Sequence, residues 1–319
     1  MLRIEARGDW EAQWVAGFLS GFHLVETATP ADSRSALTLR VERATPPVVP
    51  SGMQGFEINH GVCQTDGQQY FLTVDGSLVR IGEPKGRLVD VWFGLTSHAR
   101  HPIALVNVFS YALQAALRRV GVYDLHAASA VDPSAGNGAL FVGASGSGKT
   151  TLTLRLIECG WRYVSDDMVV MRETPAGVEV EGLRRLFAVA PMSLVGVSGE
   201  RLSAALGQPV ASDQSKRTLD PQVVFPDRRA VHCLPRLLFF PRITAEPETT
   251  IALLPARGAM QQLLRHCPWA TYDVHSAPDY LRMLARLANQ CRAYELLGGR
   301  DLLLQPNRTA DLLAPYMRE

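Results

Sequence analysis

The sequence predicts an α/β fold in two parts: a smaller β-rich α+β domain over residues 1–100, then an α/β phosphate-binding domain over residues 101–319. Three observations predict it. The first hundred residues carry short apolar runs broken by Asp-Gly dipeptides, which favour tight hairpin turns. Residues 138–159 read as an apolar strand, a glycine-rich loop and a helix in direct succession. Beyond them, apolar strands and amphipathic helices follow one another to the end of the chain.

Taken in order, residues 14–19 suit a short helix and the alternating run 36–41 a strand. Proline and small residues over 45–52 predict a loop. Strand-like runs follow at 55–60, 61–64, 70–74 and 77–81, divided by Asp66-Gly67 and Asp75-Gly76, with another at 89–93. His101-Pro102 closes this region, and residues 103–120 form a long helix with Val106, Phe109, Leu113, Ala116 and Leu117 mostly on one face. It leads into a single strand over 123–131, a loop over 132–137, and the strand 138–142.

After the glycine-rich loop, a helix runs to Cys159 with Gly160 as its terminator. A strand over 161–165 ends in Asp166-Asp167. Residues 168–172 and 177–181 pattern as a hairpin, 203–206 as a short helix, and 213–221 as a polar loop. The buried strand 235–240 precedes amphipathic helices at 259–266 and 278–290 and a strand at 292–297. Asn307 caps a last helix running to Tyr316.

The chemistry concentrates in Gly143, Ala144, Ser145, Gly146, Ser147, Gly148, Lys149 and Thr150, followed by Thr151. This is the phosphate-binding loop pattern: glycine, four residues, Gly-Lys, then Ser/Thr. The glycines let the backbone curl so that several N–H groups face a polyphosphate. The helix that opens near Lys149 adds its positive end. Lys149 can neutralise the outer phosphates and the Thr150 hydroxyl can ligate Mg2+. ATP and Mg2+ are therefore the expected cofactors.

A triphosphate site also needs a carboxylate for the metal and a group that receives the acceptor proton. The late apolar strand ends in Pro241-Arg242 rather than an acid. Asp166-Asp167 is the better candidate, because strand carboxyl ends are where open α/β sheets hold ligands. Adjacent side chains diverge, so one can bind metal while the other faces an acceptor hydroxyl; Asp166 and Thr150 are the metal-side candidates. The plainer alternative is a solvated Ser-Asp-Asp turn. His126, among alanines on the strand before the loop, is either a satisfied core histidine or a partner for a phosphate or an aspartate.

Leu125-His126-Ala127-Ala128-Ser129-Ala130, then the loop from Gly143 to Thr151, Gly160 and Ser165-Asp166-Asp167, resembles the HPr kinase/phosphorylase family and its HprK-like relatives. The likeness is densest over residues 123–171, with a weaker continuation through Lys216-Arg217, Leu219-Asp220-Pro221 and residues 235–241. It implies a mixed-sheet kinase fold related to phosphoenolpyruvate carboxykinase. It implies that Lys149 binds the transferring phosphates, that Asp166 or Asp167 is the general base toward a serine hydroxyl, and that His126 sits near the phosphates. Lys216 and Arg217 are implied near the phosphates or acceptor, and Glu179 or Glu181 is the weakest candidate for a second metal ligand. The family's glycine-rich signature after the aspartates is only loosely matched by Glu179-Val-Glu181-Gly-Leu-Arg184-Arg185. The resemblance therefore points to HprK-like kinases of accessory gene clusters rather than to the bifunctional enzymes, and a homo-oligomer accords with it.

The remaining composition narrows the partners. An apolar share of 47% supplies real cores. With 32 basic and 31 acidic residues, net charge is +1, which gives no basis for broad nucleic-acid binding. Five scattered cysteines without a Cys-x-x-Cys fit reduced thiols. A charged N-terminus and no stretch of about 20 apolar residues predict a cytosolic protein without membrane attachment. The expected activity is an ATP-dependent kinase acting on a hydroxyl of a small protein, peptide or small molecule. The alternative of another class is a nucleotide-gated binding or adaptor protein.

Overall fold

The computed structural model describes residues 2–24, 37–58, 61–82, 87–95, 102–134, 136–194, 200–210, 213–305 and 307–318. The expectations at residues 36, 59–60 and 101 lie outside them. By contact the chain divides into two compact units, Met1–Val122 with Val274–Ser276, and Tyr123–Asp273 with Ala277–Glu319. This division and the one expected at residue 100 differ over the helix Pro102–Arg119, which packs on the first unit's sheet.

In the first unit, the described strands are β1 (Leu2–Ala6), β2 (Leu37–Arg43), β3 (Gln54–Ile58), β4 (Gly61–Thr65), β5 (Tyr70–Val74), β6 (Ser77–Ile81) and β7 (Leu88–Phe93). They form one sheet in the order β1-β2-β7-β6-β5-β4-β3. β1, β2 and β7 run parallel and the rest is an antiparallel meander. Both Asp-Gly hairpin turns form. At Asp75-Gly76 both residues take positive φ, 43° and 72°, as a mirror-image two-residue turn demands. The helix Asp9–Leu19 begins earlier than expected, and β1 was not foreseen. Asp90 ties three strands by accepting from Arg80 on β6 and Arg40 on β2.

The second unit carries β8 (Tyr123–Leu125), β9 (Ala127–Val131), β10 (Gly138–Val142), β11 (Arg162–Ser165), β12 (Val169–Thr174), β13 (Gly177–Gly182), β14 (Phe187–Val189), β15 (Leu206–Val210), β16 (Asp213–Leu219), β17 (His232–Cys233), β18 (Pro235–Ile243), β19 (Thr250–Leu254) and β20 (Arg292–Gly298). Among the described residues they make a mixed sheet, β11-β9-β10-β18-β20-β19, and two antiparallel sheets, β17-β13-β12-β8 and β14-β16-β15. In the mixed sheet, β10, β18 and β20 run parallel. β11 is antiparallel to β9, which is antiparallel to β10, so β11 shares the direction of β10. The carboxyl ends of β10, β11, β18 and β20 therefore meet at one sheet edge, the edge where α/β sheets place ligands. Under that edge, Phe141, Phe239 and Tyr294 stack in a core with Leu152, Leu156, Leu302 and Leu313.

Two sequence expectations are corrected. The single strand expected over 123–131 is two strands in two different sheets, broken at His126. The polar loop expected over 213–221 begins with β16, because Phe187–Val189 and Leu206–Val210 pair with it on either side. Leu219 and Phe187 are buried in one cluster with Leu154, Ile157 and Tyr163, so non-local pairing and burial override a polar composition. Asp220 then caps the short helix Pro221–Val224, accepting from the Gln222 N–H at 3.0 Å.

Gly182 fixes how β13 passes the end of β11. A Cβ there would lie 2.1 Å from the Val164 carbonyl oxygen. Gly182→Ala is therefore expected to destabilise the protein by about 1–3 kcal/mol, read by urea unfolding, because backbone rather than a flexible side chain must move. An unchanged midpoint would count against this packing.

Candidate functional site

The phosphate-loop sequence leaves β10 and opens the helix Lys149–Glu158. Gly146 and Gly148 hold φ of 82° and 98°, the left-handed region that glycine supplies without strain. Gly148 sits at the N-cap and no side chain caps the helix, so its first N–H groups are left facing the loop's concavity. Lys149 is buried and its Nζ donates to the loop's own carbonyls, at 2.7 Å to Gly143 and 3.0 Å to Ala144. Burial lowers its pKa, and the Asp167 and Asp166 carboxylates oppose that shift.

The two aspartates sit in different surroundings. Asp166 is buried, and its Oδ2 accepts from the Ala188 N–H at 3.0 Å and from the Thr150 hydroxyl at 3.3 Å. Its Oδ1 is buried without a hydrogen-bond partner. Burial, then the neighbouring Asp167 charge, push its carboxyl up to about 7. Asp167 is partly exposed; its Oδ1 lies 2.7 Å from His126 Nε2 and its Oδ2 lies 3.9 Å from Arg184 Nε. Burial works to raise the Asp167 carboxyl, but the hydrogen bond and charge of His126, with Arg184 and Lys149, hold it below the usual carboxylate range.

Strand register explains the His126–Asp167 contact. β9 pairs with β11 in one sheet, Ser129 opposite Ser165, and β8 pairs with β12 in another, Leu125 opposite Val169. Both chain segments change sheets at the same place, one at His126 and the other at Asp166–Asp167–Met168. The antiparallel register carries across the break, so His126 faces the aspartate turn.

A cleft of about 290 Å3 runs along the loop, lined on one side by Asp167, Ala188, Ser193 and Lys216 and on the other by Ile243, Thr244 and Gly299. Lys216, on β16, reaches Ser145 Oγ at 3.0 Å and Asp213 at 3.4 Å. Thr151 shares a 2.8 Å hydroxyl contact with Ser193. Of the residues singled out in the sequence, the loop from Gly143 to Thr151, Lys149, Asp166, Asp167, His126 and Lys216 come together here. Arg217 does not: it points away from the loop and donates to the Gly207 carbonyl at 2.9 Å. Glu179 and Glu181 face His232 and Arg172 and line no part of the cleft.

No family model matches the chain, and no curated protein matches it. Among solved structures, the Hpr(Ser) kinase/phosphatase from Coxiella burnetii is similar at 12% identity and a TM-score of 0.31. The match covers 61% of this chain and 99% of that one. The likeness is distant.

Several site residues carry no strong sequence signal. Arg184 belongs to a visible basic pair, but the pair alone does not say that it faces Asp167. Ser193 and Thr244 have none, and Ile243 lies where the strand β18 runs three residues past its expected end. Pro241 is tolerated there since β10 pairs with β18 only as far as Phe239.

The residues present fit Mg2+. Thr150 and Asp166 offer hard oxygen donors side by side, and the partnerless Asp166 Oδ1 has an acceptor position to fill. Among the described residues no group of three or more His, Cys, Asp and Glu is placed to hold a metal. Mg2+ in phosphate-transfer sites commonly takes one or two carboxylates and completes its shell with phosphates and water.

The raised Asp166 carboxyl makes a pH prediction for the nucleotide-free protein. A carboxyl that holds its proton more tightly folded than unfolded stabilises least once both states are ionised. Its contribution to stability therefore falls as pH rises from about 4 to about 7. Asp166→Asn is expected to stabilise the apoprotein by about 1 kcal/mol or more at pH 8 and by little at pH 4. Thermal melts at both pH values check it; an equal effect at both would refute the buried-charge account.

Proposed function

We propose that this chain is an ATP-dependent kinase that transfers the γ-phosphate to a serine-type hydroxyl on a small protein, a peptide or a small molecule. The observation that carries the reading is the division of labour between two adjacent carboxylates beside one phosphate loop. Asp166 is turned in toward Thr150, and Asp167 is turned out into the cleft on the His126 and Arg184 side. Site chemistry of this kind needs few residues, because phosphoryl transfer is mostly positioning and charge stabilisation.

In this reading the loop N–H groups and the uncapped helix end bind the polyphosphate, and Lys149 leaves its loop carbonyls to pair with the outer phosphates. Thr150 and Asp166 would hold Mg2+, which when bound would neutralise charge on the phosphate oxygens. Asp167 accepts a hydrogen bond from the acceptor hydroxyl and takes its proton as the bond to phosphorus forms and the bond from that phosphorus to the β–γ bridging oxygen breaks, ADP being the leaving group. An aspartate held this acidic is a weak resting base, so its contribution is chiefly to orient the hydroxyl in line; the proton moves late, when the attacking oxygen has become acidic. His126 fixes the Asp167 carboxylate through Oδ1 and leaves Oδ2 toward Arg184.

Incubation with γ-labelled ATP and Mg2+ across hydroxyl-bearing peptides, carrier proteins and small molecules tests the proposal by mass spectrometry. A labelled phosphoester is expected. Tight ATP binding with no transfer to any acceptor would favour the nucleotide-gated binding protein instead.

A further inference from the structure

The cleft continues past the phosphate loop into an end that the phosphoryl-transfer chemistry does not use. This end is built by the carboxyl ends of β18 and β20 and by the two helices that follow β20, Asp301–Leu304 and Arg308–Arg318. Leu152 and Leu302 line it and are buried. Ile243 also lines it and is 49% exposed. The isoleucine spans two glycines: a Cβ on Gly148 would come within 2.8 Å of its Cδ1, and one on Gly298 within 3.4 Å. A side chain at Gly148 would displace it. Thr309 also lines this end; it is 1% exposed, and its Oγ1 is buried with no hydrogen-bond partner.

A buried hydroxyl without a partner costs free energy unless a ligand or water supplies the bond. Leu152, Ile243 and Leu302 supply apolar walls, and Arg155, Arg300 and Thr244 line the same cleft. A heterocyclic base suits such a lining, since it brings apolar faces and polar edge atoms. Direction agrees. Asp166 and Asp167 lie on the β11 side of the loop, and β18 and β20 lie on the other. A nucleotide with its outer phosphate at the aspartates must carry its nucleoside toward β18 and β20.

We infer that Thr309, with Ile243, Leu152 and Leu302, forms the nucleoside subsite, and that the Thr309 hydroxyl bonds an edge atom of the base. This rests on the nucleotide reading above. The test compares binding of ATP and of inorganic tripolyphosphate by calorimetry, each with Mg2+. Wild-type protein is expected to bind ATP the more tightly. Thr309→Val should weaken ATP binding about 3- to 10-fold, the worth of one neutral hydrogen bond, and leave tripolyphosphate binding unchanged. Thr309→Ser keeps the hydroxyl and should retain wild-type affinity for ATP. Ile243→Ala should weaken ATP and spare tripolyphosphate. Equal wild-type affinity for the two ligands, or a Thr309→Val effect shared by both, would overturn the subsite and leave the phosphate loop reading intact. Binding of neither ligand would overturn both.

Discussion

Lys149→Ala is expected to abolish nucleotide-dependent phosphoryl transfer, a loss of about 10^3-fold or more in kcat/KM, measured as labelled product from γ-labelled ATP. The size follows from where the ammonium sits. It is the one lysine buried in the loop, in a water-poor site where a charge acts strongly on developing phosphate charge. In the free protein it is held by two carbonyls of the same loop, at 2.7 and 3.0 Å, which the proposed reaction has it exchange for the outer phosphates. Lys149→Arg should not rescue transfer, because a planar guanidinium cannot occupy a slot shaped for a point charge between two carbonyls. The Ala variant is expected to remain folded, since removing a buried charge relieves desolvation. A folded Lys149→Ala protein that transfers phosphate at the normal rate would end the phosphate-loop assignment.

Asp167→Asn is expected to leave ATP affinity within about 3-fold and to lower kcat by about 10^2- to 10^4-fold, the range for a lost general base. The amide keeps the shape of the carboxylate and can still meet His126, so binding geometry persists while the proton acceptor is gone. Asp166→Asn should separate from it: its loss should weaken the dependence on Mg2+, because its side chain shares the Thr150 hydroxyl rather than the acceptor side. If the Asp167 variant transferred phosphate normally while the Asp166 variant did not, the two roles would have to be exchanged.

The loop and its immediate setting were legible because each part acts on its neighbours in sequence. Gly146 and Gly148 set their own dihedrals, and the strand before and the helix after follow within a few residues. Asp75-Gly76 was legible for the same reason, as two consecutive left-handed residues closing a hairpin. β16 was not: its polar residues become a strand only because two distant segments pair with it. Arg217 was drawn toward the site by adjacency to Lys216, but successive residues of a strand face opposite ways, and of the two Lys216 faces the loop.

By itself, then, the sequence determined the glycine-rich loop, its helix, the adjacent pair of aspartates and the α/β alternation around them, through local dihedral preference and periodicity. The tertiary structure decided which aspartate faces Thr150 and which faces His126. It also decided that residues 123–131 break between two sheets, and that Ile243 and Thr309 line one cleft. Those outcomes depend on register between strands and on helices packed across long sequence separations. Pairing energies of that kind are absent from any short window of the chain and appear only when the sheets assemble.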